Sequence, residues 1–181
     1  DMGFETYQKI LAEAMEELGF ETGISSRSSG DNFVSDCTIE TDQLALIPDS
    51  YIDMTAEKIR IYKELDSLTS EKDLINMKNR LTDRFGKMPV ELERLFDIVR
   101  IRQLGQKLGF EKIIIKNGVM IAFFITNPLS QYYRSDRFSK VLENVNLNPK
   151  LFEIKQPDGR LRIMVRNVDG ISKAYDILKK L

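Results

Sequence analysis

Between Lys112 and Leu181 the sequence states one plan twice: strand, tight turn, strand, helix. Lys112–Ile115 and Val119–Ile125 flank Asn117-Gly118, and Leu151–Lys155 and Leu161–Val165 flank Asp158-Gly159. Asn-Gly suits a type I′ turn, in which both central residues take positive φ and the turn's twist matches that of the strands it joins. Amphipathic stretches follow, around Arg137–Val145 and over Ile171–Leu181. Two ββα units in succession predict a small antiparallel sheet with its helices on one face. Few architectures satisfy that order.

The upstream half runs on the helical period. In residues 55–67, Ile59, Tyr62 and Leu65 recur at helical spacing. Ser70-Glu71-Lys72-Asp73 has the form of a capping box, after which Leu74, Met77, Leu81 and Phe85 fall on one face. Gly86 supplies the left-handed residue that closes this helix. Pro89 stands where a first turn tolerates a missing N–H, and Leu92, Leu95, Phe96, Val99 and Leu104 run on toward Leu108. Residues 54–108 are therefore predicted as three helices, with DRFGKMP (Asp83–Pro89) as a helix–turn–helix corner. Ahead of them LALIPDSYI is an extended apolar tether, because Pro48 disfavours helix at Ile47.

Val34, Thr38 and Ile39 mark a short strand within Phe33–Glu40 that joins the sheet. A further helix is predicted from Phe4 to Leu18, followed by a Ser- and Gly-rich mobile loop. The fold class is α+β: a helical N-terminal part packed with a small antiparallel sheet built from two ββα units. It forms one domain over 1–181, mainly helical with one short strand in 1–110 and ββαββα in 111–181.

Composition narrows the chemistry. The 181 residues are 42% hydrophobic and 30% charged, as in a globular protein with a proper core. Histidine is absent, which removes His-based acid–base catalysis, Ser-His and Cys-His nucleophiles and most zinc sites. Cys37 is the single cysteine, so no internal disulfide forms and a reducing compartment, the cytoplasm, is expected. Neither GxxxxGK[ST] nor GxGxxG occurs, so no phosphate-cradling loop is recognisable and no cofactor is expected. Asp49 and Asp53 flank Tyr51 and read either as a carboxylate pair for Mg or acid–base work or as solvated loop residues. No apolar run reaches the roughly 20 residues of a membrane helix, so no membrane partner is expected. The chain opens without an initiator Met, as a piece of a longer protein would.

The net charge of −1 conceals a division: residues 1–110 hold 14 Lys/Arg and 21 Asp/Glu, residues 111–181 hold 13 and 7. Solvated faces explain this, as does a dipolar module that docks on partners of differing charge. Arg160, Arg162 and Arg166 alternate with Leu161, Ile163 and Val165, which makes one face of that strand basic. Tyr132, Tyr133, Arg134 and Arg137 lie just before the preceding helix. Together they suggest either the solvated outer face of a half-buried sheet or a surface for nucleic acid or an acidic protein.

Five stretches then point to a family. GFETYQKILAEAM at 3–15, IETDQLALIPDSYI at 39–52, RIYKELDSLTSEKDL at 60–74, LTDRFGKMPVELERL at 81–95 and IRQLGQKLGF at 101–110 occur in this order. Over residues 3–110 the chain resembles the C-terminal domain of the bacterial transcription-repair coupling factors (Mfd proteins). The ββαββα part follows by continuity. The resemblance implies a parent chain that is an ATP-driven translocase on double-stranded DNA, removes stalled RNA polymerase and recruits the excision-repair protein UvrA. ATP and Mg would belong to its motor domains. It implies that this domain has no catalytic site and folds back on the N-terminal UvrB-like module of the same chain, covering the UvrA-docking surface and restraining the motor. The family writes the helix end as Glu-Leu-x-Asp-Arg-Phe-Gly, whereas Arg80 stands here in place of that Glu, reversing a charge expected to face a basic partner surface. The candidate interdomain contact is Arg80, Asp83, Arg84 and Lys87. The alternative for Asp83 and Arg84 is that they hold the corner together.

Overall fold

A computed structural model describes residues 33–181. The helix predicted over Phe4–Leu18 and the loop after it lie outside the described residues. By internal contacts the chain divides into two compact units, one holding residues 44–100 and the other residues 33–43 and 101–181 of the described part.

The first unit is helical. After the tether come α1 (Thr55–Ser67), α2 (Glu71–Phe85) and α3 (Val90–Leu108), whose last turns belong to the second unit. These are the three helices expected over 54–108. Ile59, Ile61, Tyr62 and Leu65 of α1, Leu74, Met77 and Leu81 of α2, and Leu92, Leu95, Phe96 and Ile98 of α3 are all buried. Full burial of each such aliphatic side chain contributes about 1.5–3 kcal/mol relative to exposure. The tether adds Ala45, Ile47 and Ile52 to this core. It is fixed where the Ile47 N–H donates to the buried Tyr62 hydroxyl at 2.9 Å.

The second unit is built on a five-stranded sheet of β1 (Thr38–Thr41), β2 (Phe110–Lys116), β3 (Val119–Phe124), β4 (Glu153–Lys155) and β5 (Arg162–Arg166), in the order β1-β2-β3-β5-β4. Helices α4 (Asp136–Leu147) and α5 (Ile171–Leu178) follow the two strand pairs, so the ββαββα order holds. Asn117 and Gly118 sit at φ 53° and 73°, and Asp158 and Gly159 at φ 55° and 77°. Both dipeptides adopt the paired positive φ that their chemistry favours.

Two details differ from expectation. The sheet is mixed rather than antiparallel, because β1 pairs parallel with β2, with Ile39 opposite Ile113. A parallel pair needs a long crossover, and here α1, α2 and α3 supply the intervening chain. Strand β4 begins at Glu153 rather than Leu151, because the Leu151 and Phe152 N–H groups are spent on a turn that closes on the Asn148 carbonyl. One sheet face is core: Ile39, Ile113, Ala122, Phe124, Ile163 and Val165 are buried, as are Val141 and Val145 of α4 and Ile171, Ala174 and Leu178 of α5.

Candidate functional site

The DRFGKMP corner begins with a well-started helix. Ser70 caps α2 by accepting the Asp73 N–H at 3.2 Å while its hydroxyl donates to the Asp73 carboxylate at 2.7 Å. At the far end the Gly86 N–H donates to the Thr82 carbonyl, and Gly86 takes φ 88°, ψ −166°, which turns the chain out of the helix. Met88 is buried, and the Pro89 carbonyl accepts the N–H groups of Leu92 and Glu93 to open α3.

Tyr51 locks this turn. Its hydroxyl lies 2.9 Å from the Gly86 carbonyl and 3.1 Å from that of Leu81, and its ring packs 5.8 Å from the half-buried Phe85. IPDSYI and DRFGKMP, far apart in sequence, are thus one structural piece. Tyr51 carries no signal of this in the sequence beyond its place in the motif.

Charges on α1 and α2 meet across a groove floored by Ile61, Met77, Leu81 and Phe85. Arg80 pairs with Glu64, and Arg84 pairs with Glu57 at 2.7 Å, while Glu57 also holds Arg60. Glu57 and Glu64 stand two turns apart on α1 and meet Arg84 and Arg80, one turn apart on α2, so the two helices run antiparallel. The Arg84 guanidinium also lies 4.8 Å from the centre of the Phe85 ring. Of the four candidate contact residues, Arg80 and Arg84 are therefore engaged within the unit. Asp83 and Lys87 are exposed and have no hydrogen-bond or ionic partner among the described residues. Asp49 is paired with Lys58. Among the described residues no group of three or more Cys, Asp or Glu side chains is placed to hold a metal ion.

With this geometry in hand, residues 41–135, just over half of the chain, match the TRCF domain family. The chain belongs to that family. A transcription-repair-coupling factor of Staphylococcus epidermidis is 33% identical over 167 residues, which is 92% of this chain and 13% of that protein. One of Rickettsia typhi is 31% identical over 181 residues, 98% of this chain and 15% of that protein. The chain spans about one seventh of the length of these relatives. A crystal structure of the C-terminal domain of transcription-repair coupling factor has the same fold, with a TM-score of 0.66 at 17% identity, over 80% of this chain and 88% of that one.

The second candidate surface of this TRCF domain is placed differently from expectation. Tyr132 is fully buried and its hydroxyl donates to the Leu108 carbonyl, while the Tyr133 hydroxyl donates to that of Ile125. Phe138 packs edge-on to the Tyr133 ring and tilted against that of Tyr132, and burial raises both phenol pKa values. These tyrosines are packing elements, so Tyr132 offers no ring to a nucleobase. Arg134 and Arg160 are exposed, with Arg160 lying 4.5 Å over the Phe123 ring. Arg166 pairs with Glu153 at 3.1 Å, and Arg162 is half-buried. Arg160, Arg162 and Arg166 thus keep a basic face, without the aromatic platform expected beside it.

Proposed function

We propose that this TRCF domain is a non-catalytic regulatory clamp of an ATP-dependent DNA translocase that couples transcription to nucleotide excision repair. It closes on the N-terminal UvrB-like module of the longer chain, covers the surface that docks UvrA, and restrains the motor until RNA polymerase is engaged. ATP, Mg and DNA are handled by the motor. The observation that carries this reading is the corner itself: two family motifs are welded at Tyr51 and Gly86 and leave Asp83 and Lys87 exposed, with no charge partner among the described residues. A tethered contact is intramolecular, so a weak interface is occupied at an effective concentration on the order of millimolar. The same weakness lets modest competing binding energy open it. Charged rim residues contribute specificity more than strength.

The test is a full-length coupling factor carrying this domain with Asp83→Lys and Lys87→Glu, leaving Arg80 and Arg84 to brace the helices. UvrA binding and DNA-stimulated ATPase are both expected to rise severalfold over wild type with thermal stability unchanged. If neither moves, the corner is scaffold. The isolated chain is expected to hydrolyse no ATP and cut no DNA with Mg present. Turnover abolished by changing Asp49 or Asp53 would replace the clamp with a metal-dependent enzyme.

A further inference from the structure

The sheet face opposite the core carries an ordered array. Side chains alternate across a strand, so the registers that bury Ile113, Ala122 and Ile163 turn their neighbours the other way. On that second face Ile114 lies opposite Ile121, and Ile121 opposite Met164, forming an apolar row across the three central strands. All three are half-buried, as are Val119 and Phe123 on β3. Phe123 is registered between Lys112 and Arg162, and Val119 between Lys116 and Arg166. The result is an apolar cross with a cation at each corner.

The charges are unbalanced. Lys112 and Lys116 share Glu40 at 2.8 and 3.6 Å, and Arg166 and Lys155 share Glu153 at 3.1 and 3.5 Å. Arg162 has no carboxylate among the described residues, and its Nε–H, shut off from solvent, has no acceptor there. Arg160 adds a further positive charge above Phe123. Among the described residues, the ion pairs on this face therefore set Glu40 and Glu153 against six cations.

We propose that this face docks a protein partner through an acidic amphipathic helix. Three strands spaced about 4.8 Å apart make an apolar row about 9.6 Å long, nearly two helical turns, and the cation rows lie about 6.6 Å to either side of it. A helix laid along Ile114, Ile121 and Met164 buries its apolar stripe there and sets carboxylates on both flanks against the corner cations. One of those carboxylates pairs with the Arg162 guanidinium, which has no carboxylate partner among the described residues. Single-stranded nucleic acid uses aromatic rings as stacking platforms, and among the described residues the ring on this face, Phe123, is capped by Arg160. This surface is independent of the Asp83 corner.

The test titrates the isotope-labelled 181-residue chain with a synthetic helix of about 18 residues, Leu at i, i+3, i+4 and i+7 and Glu on both flanks. Amide shifts are expected at Ile114, Ile121 and Met164, with a Kd on the order of 100 μM that weakens as salt is raised. Arg162→Glu should weaken binding by about tenfold or more. Exposed Arg160→Glu, which leaves the strand register untouched, should weaken it in the same direction, and the dispersion of the amide spectrum reads folding in each case. Equal binding by a scrambled peptide, shifts outside β2, β3 and β5, or no shift at about 1 mM peptide overturns the proposal. An oligonucleotide that shifts the same amides more tightly overturns it too, and reassigns the face to nucleic acid.

Discussion

Gly86 closes α2 at φ 88°, ψ −166°, a region open to glycine and strained by about 1–3 kcal/mol for an L-residue. A Cβ built there meets nothing within 4 Å, so Gly86→Ala introduces no clash and its whole effect is backbone strain. Alanine also restricts the unfolded chain, which returns about 0.4–1 kcal/mol. The net loss is about 0–2.6 kcal/mol, about 1.3 kcal/mol at mid-range. At about 2–4 °C per kcal/mol for a chain of this size, the mid-range loss lowers Tm by about 3–5 °C. D-Alanine at the same exposed position reverses the sign. The mirror of this conformation is an ordinary extended one, so D-Ala fits without strain and keeps the entropic gain of about 0.4–1 kcal/mol. The assay compares three proteins by thermal unfolding followed by circular dichroism, with the D-residue introduced by chemical ligation. L-Ala should lie below wild type and D-Ala above it. Equal shifts from the two enantiomers would show that conformation is not what makes position 86 a glycine, and the corner argument would fail.

Three further outcomes are expected. Gly109→Ala should cost about 3 kcal/mol or more, because its φ is +95° and a Cβ would lie 2.2 Å from the Tyr132 ring, which is fully buried and pinned by its hydroxyl; an unchanged melting curve refutes this. Cys37 is fully buried with its thiol pushed well above its usual pKa range, chiefly by burial, so Ellman's reagent should label it only on unfolding; rapid native labelling would contradict that packing. Glu40 is held below its ordinary pKa, first by the hydrogen bond from Lys112 and then by Lys116. A native value below the unfolded one gives stability that is present above the unfolded pKa and lost as pH falls through the native value. The stability gap between wild type and Glu40→Gln, about 0–1 kcal/mol for a half-exposed pair, should therefore shrink as pH falls below the ordinary Glu pKa of about 4.3; a pH-independent gap would show that the carboxylate's charge is not what matters.

What was legible in the sequence was local. Asn117-Gly118 and Asp158-Gly159 adopt positive φ because that preference belongs to the dipeptide, and Ser70 caps α2 because its partner is three residues away. The helical faces were legible for the same reason. What lay beyond reach depends on partners distant in the chain. Nothing local to Thr38–Thr41 states that it pairs parallel with β2. Tyr132, beside Tyr133 and Arg134, looked like part of a surface, yet its hydroxyl acceptor is the Leu108 carbonyl on a different element. Basic alternation was visible along β5, but its place in an apolar cross emerges only once β2, β3 and β5 are in register.

Arg80, standing where the resemblance implies Glu, is engaged within the folded unit. Taken alone, the exchange reverses the charge presented to a partner. In the folded unit Arg80 is paired with Glu64, and Arg84 shares Glu57 with Arg60, so two carboxylates hold three guanidinium groups within the α1–α2 pair. Exposed pairs of this kind contribute about 0.2–1 kcal/mol each, enough to bias side-chain positions but small beside the buried core. Their larger effect is on the field the corner projects. With both arginines ion-paired, the charges at the corner that lack a partner among the described residues are Asp83 and Lys87, of opposite sign and on either side of Gly86. A facing surface complementary to that pair needs a cation and an anion in fixed order, which defines a docking orientation where a single uniform charge would not.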